Sequence, residues 1–98
     1  MKNDLLEVPH PGDVLFDEYI LPLGLSNGMV AKGLGIEPTA VSDLIKGKLS
    51  LSAELALRLG VYTGTSAEYW LGLQKTYDLG HAERKFGQRI LREVTPLN

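Results

Sequence analysis

The chain has 98 residues, of which 44% are hydrophobic and 22% are charged, so we expect one domain with a small buried core. It contains no cysteine, which excludes disulfides, thiolate metal sites and thiol nucleophiles. No apolar run reaches the roughly 20 residues that a membrane span needs, and the acidic start lacks the apolar stretch of a signal peptide. These features predict a cytoplasmic protein that is stabilised by packing alone.

The net charge of −2 is distributed unevenly along the chain. The residues up to Leu25 carry one lysine against five acids, hence −4, whereas Ser26 to Lys48 carry three lysines against two acids, hence +1. The stretch from Leu49 to Gly80 carries −1, and the residues from His81 onward carry +2. Any phosphate-binding surface must therefore be local, and we expect it to bind weakly.

Glycine and proline divide the sequence into stretches whose apolar residues repeat at helical spacing. The first predicted helix begins at Pro11, runs to about Leu21 and is closed by Pro22 and Gly24. Ser26 is a good N-cap for a second, short helix. That helix would end at Gly35, where a left-handed cap residue belongs.

The third predicted helix begins at Pro38, whose missing N–H costs nothing in a first turn, and stops at Gly47. The fourth and fifth would begin after the capping residues Ser52 and Ser66. Glycines are expected to end both, at positions 64 and 80.

A sixth helix is predicted from Ala82 to about Val94, with a basic outer face. No segment alternates as a strand would. The sequence therefore predicts an all-α fold of five or six helices, in which residues 1–98 form one domain and residues 81–98 are a C-terminal extension.

Two short helices joined by a tight, glycine-containing turn form a helix-turn-helix, and residues 26–48 have this pattern. The small Ala31 would allow the two helices to approach closely, Gly35 would turn the chain, and Ile36 would fill the corner. The later helix could then enter a major groove. Any helical hairpin with a glycine turn gives the same spacing, so spacing alone leaves DNA binding open.

The residues of the motif and of its flanks indicate a particular family. Ser26-Asn-Gly-Met-Val-Ala-Lys-Gly-Leu-Gly, followed by Pro38 to Lys48 ending in Leu-Ile-Lys-Gly-Lys, resembles the phage-repressor (Cro/C1-type, lambda-repressor-like) helix-turn-helix family. The flanking runs His10-Pro-Gly-Asp-Val-Leu and Gly64-Thr-Ser-Ala-Glu-Tyr-Trp-Leu resemble the HigA-type antitoxins. The resemblance extends from His10 to about Leu79.

This resemblance implies the antitoxin of a type II toxin-antitoxin system. Such a protein would neutralise a small basic RelE-like toxin, which cleaves mRNA, and would repress its own operon by binding double-stranded operator DNA as a homodimer. The alternative is a stand-alone phage-type transcriptional regulator without a toxin. The acidic stretch before Ser26 is either a surface complementary to the toxin or a solvated helix face.

No nucleophile, base and anion-hole arrangement is present, so we expect no enzyme and no cofactor. His10 and His81 lack acidic or cysteine partners at ligand spacing, so no metal site is expected either.

The resemblance also implies which residues meet DNA. Asn27 would contact a phosphate, although it could equally be a capping neighbour without a ligand. Lys46 and Lys48 would hold the DNA backbone at the end of the recognition helix. The groove-facing positions of that helix would be Pro38, Thr39, Ala40, Ser42 and Asp43.

These groove-facing residues differ from the arginine, glutamine or asparagine that related antitoxins often carry there. Pro38 and Ala40 offer no side-chain donor, and Asp43 repels phosphate. Thr39 and Ser42 can each give one hydrogen bond. We therefore expect weak or strongly dimer-dependent DNA binding, or its loss with toxin binding retained.

The basic tail has two interpretations. Phe86, Ile90 and Val94 could form a dimer seam or fold back on their own domain. Four bases could contact flanking DNA or solvate the outer face: Arg84, Lys85, Arg89 and Arg92. Because an operator with two half-sites, roughly 34 Å apart, requires two recognition helices, we expect dimerisation through the last two helices.

Overall fold

The computed structural model describes residues 8–97, which form five helices and no strand. The first helix, α1, consists of Pro11–Leu15, a π-helical turn at Phe16–Ile20 and a last turn at Leu21–Leu23. It is followed by α2 (Asn27–Leu34), α3 (Pro38–Ile45), α4 (Ala53–Thr63) and α5 (Ala67–Glu93). The predicted all-α fold is confirmed in its five-helix form. The acidic residues at positions 4 and 7 lie outside the described part of the chain.

Side-chain caps start α2, α4 and α5 where the sequence predicted. The hydroxyls of Ser26, Ser52 and Ser66 each accept a hydrogen bond, at 3.1 Å, from the backbone N–H three residues later. Left-handed glycines end helices at four positions, with φ between 64° and 76°: Gly24, Gly35, Gly47 and Gly64. Glycine adopts this conformation without a Cβ penalty, so these helix boundaries are encoded locally.

Gly80 does not end a helix, and the prediction of a separate sixth helix from Ala82 to about Val94 is wrong. Helix α5 runs unbroken for 27 residues from Ala67 to Glu93. Gly80 is not among the positive-φ glycines, and a Cβ there would lie 3.4 Å from Val8 Cγ2. The backbone at Gly80 therefore has no left-handed turn, and the helix passes through it.

The prediction that α1 ends near Leu21 needs a smaller correction, because the helix continues to Leu23. The π-helical turn at Phe16–Ile20 was not predicted. It adds a residue to the turn and so rotates the residues that follow relative to the buried face.

The core lies between all five helices and is centred on fully buried side chains, the largest of which is Trp70. The Nε1–H of Trp70 donates to Thr65 Oγ1 at 2.9 Å, so the polar atom of this ring is satisfied. The ring lies edge-on to Tyr69, with centroids 5.4 Å apart. The other core residues are apolar: Val14, Leu15, Ile20, Val30, Ala31, Leu34, Val41, Leu44, Leu51, Leu55, Ala56 and Leu59.

Two glycines allow helices to approach more closely than any side chain would permit. A Cβ on Gly12 of α1 would overlap the carbonyl group of Leu44 at the end of α3. A Cβ on Gly33 of α2 would overlap the ring of Tyr62 in α4. The end of α3 is thus held against α1, and α2 is held against α4.

His10 caps α1 with its imidazole. Its Nδ1 accepts from the backbone N–H of Gly12 at 3.0 Å, while the backbone N–H of His10 donates to Asp13 Oδ2 at 3.2 Å. The ring is buried and lies edge-on to Tyr77, with centroids 4.8 Å apart. Burial lowers the pKa of His10 below its ordinary value of 6.5, against the opposing effect of Asp13 and Asp78.

This environment predicts a loss of stability in acid. Above pH 6.5 His10 is neutral whether the chain is folded or unfolded, but below it the unfolded chain binds the proton more readily. The free energy of unfolding should therefore fall as the pH drops from 7 through 6.5 toward the lower folded pKa. Urea titrations at pH 7.5, 6.5 and 5.5 measure this, and His10→Asn, a cap that does not titrate, should flatten the profile. A profile equally steep in His10→Asn would contradict this assignment.

Within residues 8–97, no helix combines the length and the apolar character that crossing a membrane would take.

Candidate nucleic-acid interface

One face of helix α3 packs into the core, and the opposite face is turned toward solvent. Val41 and Leu44 are completely buried, and a helix advances about 100° per residue. The opposite face therefore carries four polar side chains. They are Thr39, Ser42, Asp43 and Lys46.

The predicted groove-facing residues divide into two groups. Pro38, Thr39 and Asp43 are exposed, whereas Ala40 and Ser42 are half-buried. Ala40 lines a shallow hollow with residues of the α3–α4 connection and of α4, so it lies at the edge of the face. The five predicted groove-facing residues can thus offer hydroxyl groups and a thymine-methyl contact, but no bidentate donor.

The end of α3 carries the two predicted lysines. Gly47 has φ 76°, and the N–H of Lys48 donates to the carbonyl of Asp43 at 2.8 Å. This closed turn keeps Lys46 and Lys48 next to the last turn of the helix, and both are exposed. Two ammonium groups on flexible stems beside one helix end suit the DNA backbone better than a base edge.

Asn27 is the first residue of α2 and is exposed. The cap itself is Ser26, whose hydroxyl accepts from the N–H of Met29, so the capping role does not occupy the Asn27 side chain. The start of α2 is therefore available for a phosphate, which a helix N-terminus favours through its unpaired N–H groups and dipole.

The sequence analysis missed Arg58, which holds the turn of the motif in place. Its Nη1 donates to the carbonyl of Leu34 at 2.9 Å and to that of Gly35 at 3.4 Å. Its Nη2 also pairs with Glu54 Oε2 at 3.0 Å. Carbonyls at a helix end otherwise depend on solvent, so Arg58 ties the α2–α3 turn to α4. The spacing of four residues between Glu54 and Arg58 is typical of an ion pair on a helix surface, but it does not indicate the contact with the turn.

A second missed residue is Glu37, the N-cap of α3. It is exposed and makes no side-chain capping bond. Glu37 and Asp43 place two carboxylates on the exposed part of α3, against the ammonium groups of Lys46 and Lys48. The net charge of α3 and its two ends is therefore close to zero, which is in line with the expected weak attraction to phosphate.

Two short helices locked at a left-handed glycine, with the second presenting a polar face and a basic end, define a helix-turn-helix DNA-binding domain. A helix-turn-helix family model matches residues 17–70. The chain is 39% identical to the virulence-associated protein I of Dichelobacter nodosus, over 99% of this chain and 87% of that protein. It is 31% identical to antitoxin HigA-1 of Vibrio cholerae, over 88% and 80% respectively.

Solved structures of HigA proteins have the same fold as this chain. The Pseudomonas aeruginosa antitoxin HigA with the higBA promoter superposes with a TM-score of 0.88 at 35% identity, covering 94% of this chain and all of that one. An addiction module antidote protein of the HigA family from Coxiella burnetii gives 0.85 at 40% identity, covering 90% and 96%. The chain belongs to the HigA-type family of helix-turn-helix antitoxins.

Proposed function

We propose that the protein is an antitoxin that binds the operator of its own operon as a homodimer and neutralises a small, basic, RelE-like mRNA-cleaving toxin in the cytoplasm. The observation that carries the DNA-binding part is the exposed polar face of α3, with Lys46 and Lys48 at its end. The relative from Pseudomonas aeruginosa, which shares the fold throughout, is a promoter complex, and this similarity supports the same activity here.

In this proposal, phosphate contacts position the protein and a few hydroxyl contacts read the bases. Asn27 and the start of α2 would meet one phosphate, and Lys46 and Lys48 would meet the backbone beyond α3. Thr39 and Ser42 would be the base-reading side chains, with Pro38 and Ala40 in apolar contact and Asp43 opposing close approach. The affinity of a single domain should therefore be low, and two domains on one operator are needed to raise it.

The test of DNA binding is a gel shift on the DNA directly upstream of the gene, at physiological salt. We expect dissociation constants well above the nanomolar range. The fraction of DNA shifted should rise steeply at protein concentrations that favour a dimer. Nanomolar binding would contradict the weak-binding prediction, and no preference over scrambled DNA would contradict operator recognition.

Replacing either lysine at the end of α3 should reduce the electrostatic part of binding. Lys46→Ala and Lys48→Ala should each lower the slope of log K against log [salt] by about one unit, because each removes one phosphate contact. Fluorescence anisotropy between low and physiological salt measures the slope. Lys32→Ala, which removes an exposed lysine outside α3, is the matched control and should leave the slope unchanged.

Toxin neutralisation rests on family membership and on charge. Three exposed carboxylates lie on α1 without a basic residue in that helix: Asp13, Asp17 and Glu18. A toxin that binds RNA is basic, so this face is electrostatically complementary to it.

The test is co-expression with the adjacent reading frame, which should encode a basic protein, followed by a pull-down at moderate salt. Capture of that protein, together with relief of its growth inhibition, is the expected result. If no such frame is present and the gel shift succeeds, the protein is a stand-alone transcriptional regulator.

A further inference from the structure

Asp43 lies in the middle of the outward face of α3. Thr39, Asp43 and Lys46 follow one another at intervals of four and three residues, which places them on one stripe of a helix. All three are exposed, and the stripe is opposite the completely buried Val41 and Leu44. When such a helix enters the major groove, its outward stripe faces the base edges, and the phosphates lie to either side.

The carboxylate of Asp43 has no role in holding the fold together. Asp13, Glu54 and Asp78 each accept a hydrogen bond from a neighbouring residue of the chain. The backbone carbonyl of Asp43 accepts from the N–H of Lys48, but within residues 8–97 its carboxylate makes no hydrogen bond and no ion pair. A carboxylate can only accept hydrogen bonds, so both of its oxygens are open to a donor on a bound molecule.

A side chain that only accepts hydrogen bonds distinguishes among the base edges of the major groove. Guanine presents the acceptors N7 and O6 there, and thymine presents the acceptor O4, so both repel a carboxylate. Adenine presents its N6 amino group beside the acceptor N7, so a carboxylate that reaches the amino group is also repelled by the ring nitrogen. Cytosine presents the N4 amino donor without an acceptor next to it. Cytosine is therefore the base that Asp43 favours.

Two features limit the repulsion between Asp43 and the DNA phosphates. The major groove is about 12 Å wide, so a side chain at the centre of α3 lies farther from the phosphates than one at the edge of the helix. Lys46 follows Asp43 by three residues, a spacing at which side chains are neighbours on a helix surface, so its ammonium group offsets part of the repulsion. Asp43 thus weakens binding to every sequence and recovers part of the loss only where it meets a cytosine. Such a difference between sequences is what specificity requires.

We propose that Asp43 is a specificity-determining residue of the operator-binding surface, which accepts a hydrogen bond from the N4 amino group of one cytosine in each half-site and disfavours the other three bases there. This inference rests on the proposed operator binding and specifies one base pair that the operator contains. It gives Asp43 a role in selecting a C·G pair, beyond its repulsion of phosphate. Thr39 and Ser42 offer hydroxyl groups, which both donate and accept, so they select among the bases less strictly.

The test measures base preference at each position of the bound DNA. Sequencing the duplexes that the full chain retains from a random pool should show one required cytosine in each half-site. In fluorescence anisotropy, duplexes with any other base at that position should bind at least about fivefold more weakly. Asp43→Asn should change the preference there, and at no other position, to adenine, because an amide can bond both N6 and N7 of that base. Asp43→Ala should have no preference at that position.

Glu37→Gln is the charge-matched comparison. It removes an exposed carboxylate from the start of the same helix, so it should strengthen binding to the four duplexes by the same factor. A cytosine preference that persists in Asp43→Ala would overturn the inference, and so would an Asp43→Asn variant that changes all four affinities equally, as Glu37→Gln does. In both cases operator recognition would stand. A wild-type chain without a preference at any position would refute the proposed operator recognition, and the inference with it.

Discussion

We expect Gly12→Ala to lower the free energy of unfolding by about 3 kcal/mol. The new Cβ would overlap the carbonyl of Leu44 and lie 3.0 Å from the Cα of Ile45. These are backbone atoms, which cannot rotate aside as a side chain could, so α1 must move away from the end of α3. For a domain of this size the melting temperature should fall by about 12–24 °C.

The same substitution should also weaken operator binding, because it disturbs the end of α3 that carries Lys46 and Lys48. Gly28→Ala is the matched control. A Cβ at Gly28 meets only the Ser26 hydroxyl, at 3.9 Å, so alanine should stabilise α2 by up to about 1 kcal/mol. Thermal melts followed by circular dichroism compare the two variants, and an unchanged melting temperature in Gly12→Ala would show that α1 is free to shift.

Trp70→Ala should cost about 3–5 kcal/mol, which is a large part of the stability expected for a small domain. Trp70 is fully buried and is the largest side chain in the core. Its removal would leave a cavity between the start of α5 and the other helices, and would free the Thr65 hydroxyl from its bond to the indole. Urea unfolding followed by circular dichroism measures the loss, since the only tryptophan is removed.

Two companion variants separate packing from hydrogen bonding at this position. Trp70→Phe keeps most of the buried apolar surface but loses the Nε1–H donor, so about 1–2 kcal/mol should be lost. Tyr69→Ala, at a neighbouring ring that is 41% exposed, should cost less than either. If Trp70→Ala cost no more than Tyr69→Ala, the start of α5 would not be anchored by this ring.

Much of the fold was predictable because its signals are local. Ser26, Ser52 and Ser66 were predicted as caps, and each hydroxyl accepts the expected backbone hydrogen bond. Gly35 was predicted as a left-handed cap and Gly47 as a helix stop, and both have positive φ. A cap depends on atoms within a few residues of it, so the sequence contains the whole interaction.

The candidate site was predictable only in outline. The motif at residues 26–48 and the exposure of its lysines follow from helical spacing and from the family resemblance. The contact of Arg58 with the carbonyls of Leu34 and Gly35 joins residues more than 20 positions apart, and no local pattern specifies it. The DNA-contact roles of all eight residues named for the site stay predictions.

The sequence by itself determined the helical class, the starts of α2 to α5 and the glycine corner of the motif, because these depend on short-range capping and backbone preference. Only the tertiary structure decided that Gly80 continues a helix while Gly64 ends one, and that α1 contains a π-helical turn. A glycine accepts both helical and left-handed conformations, so its presence alone does not decide whether a helix ends there. Helix α5 is therefore one helix of 27 residues, where the glycine at position 80 had predicted two.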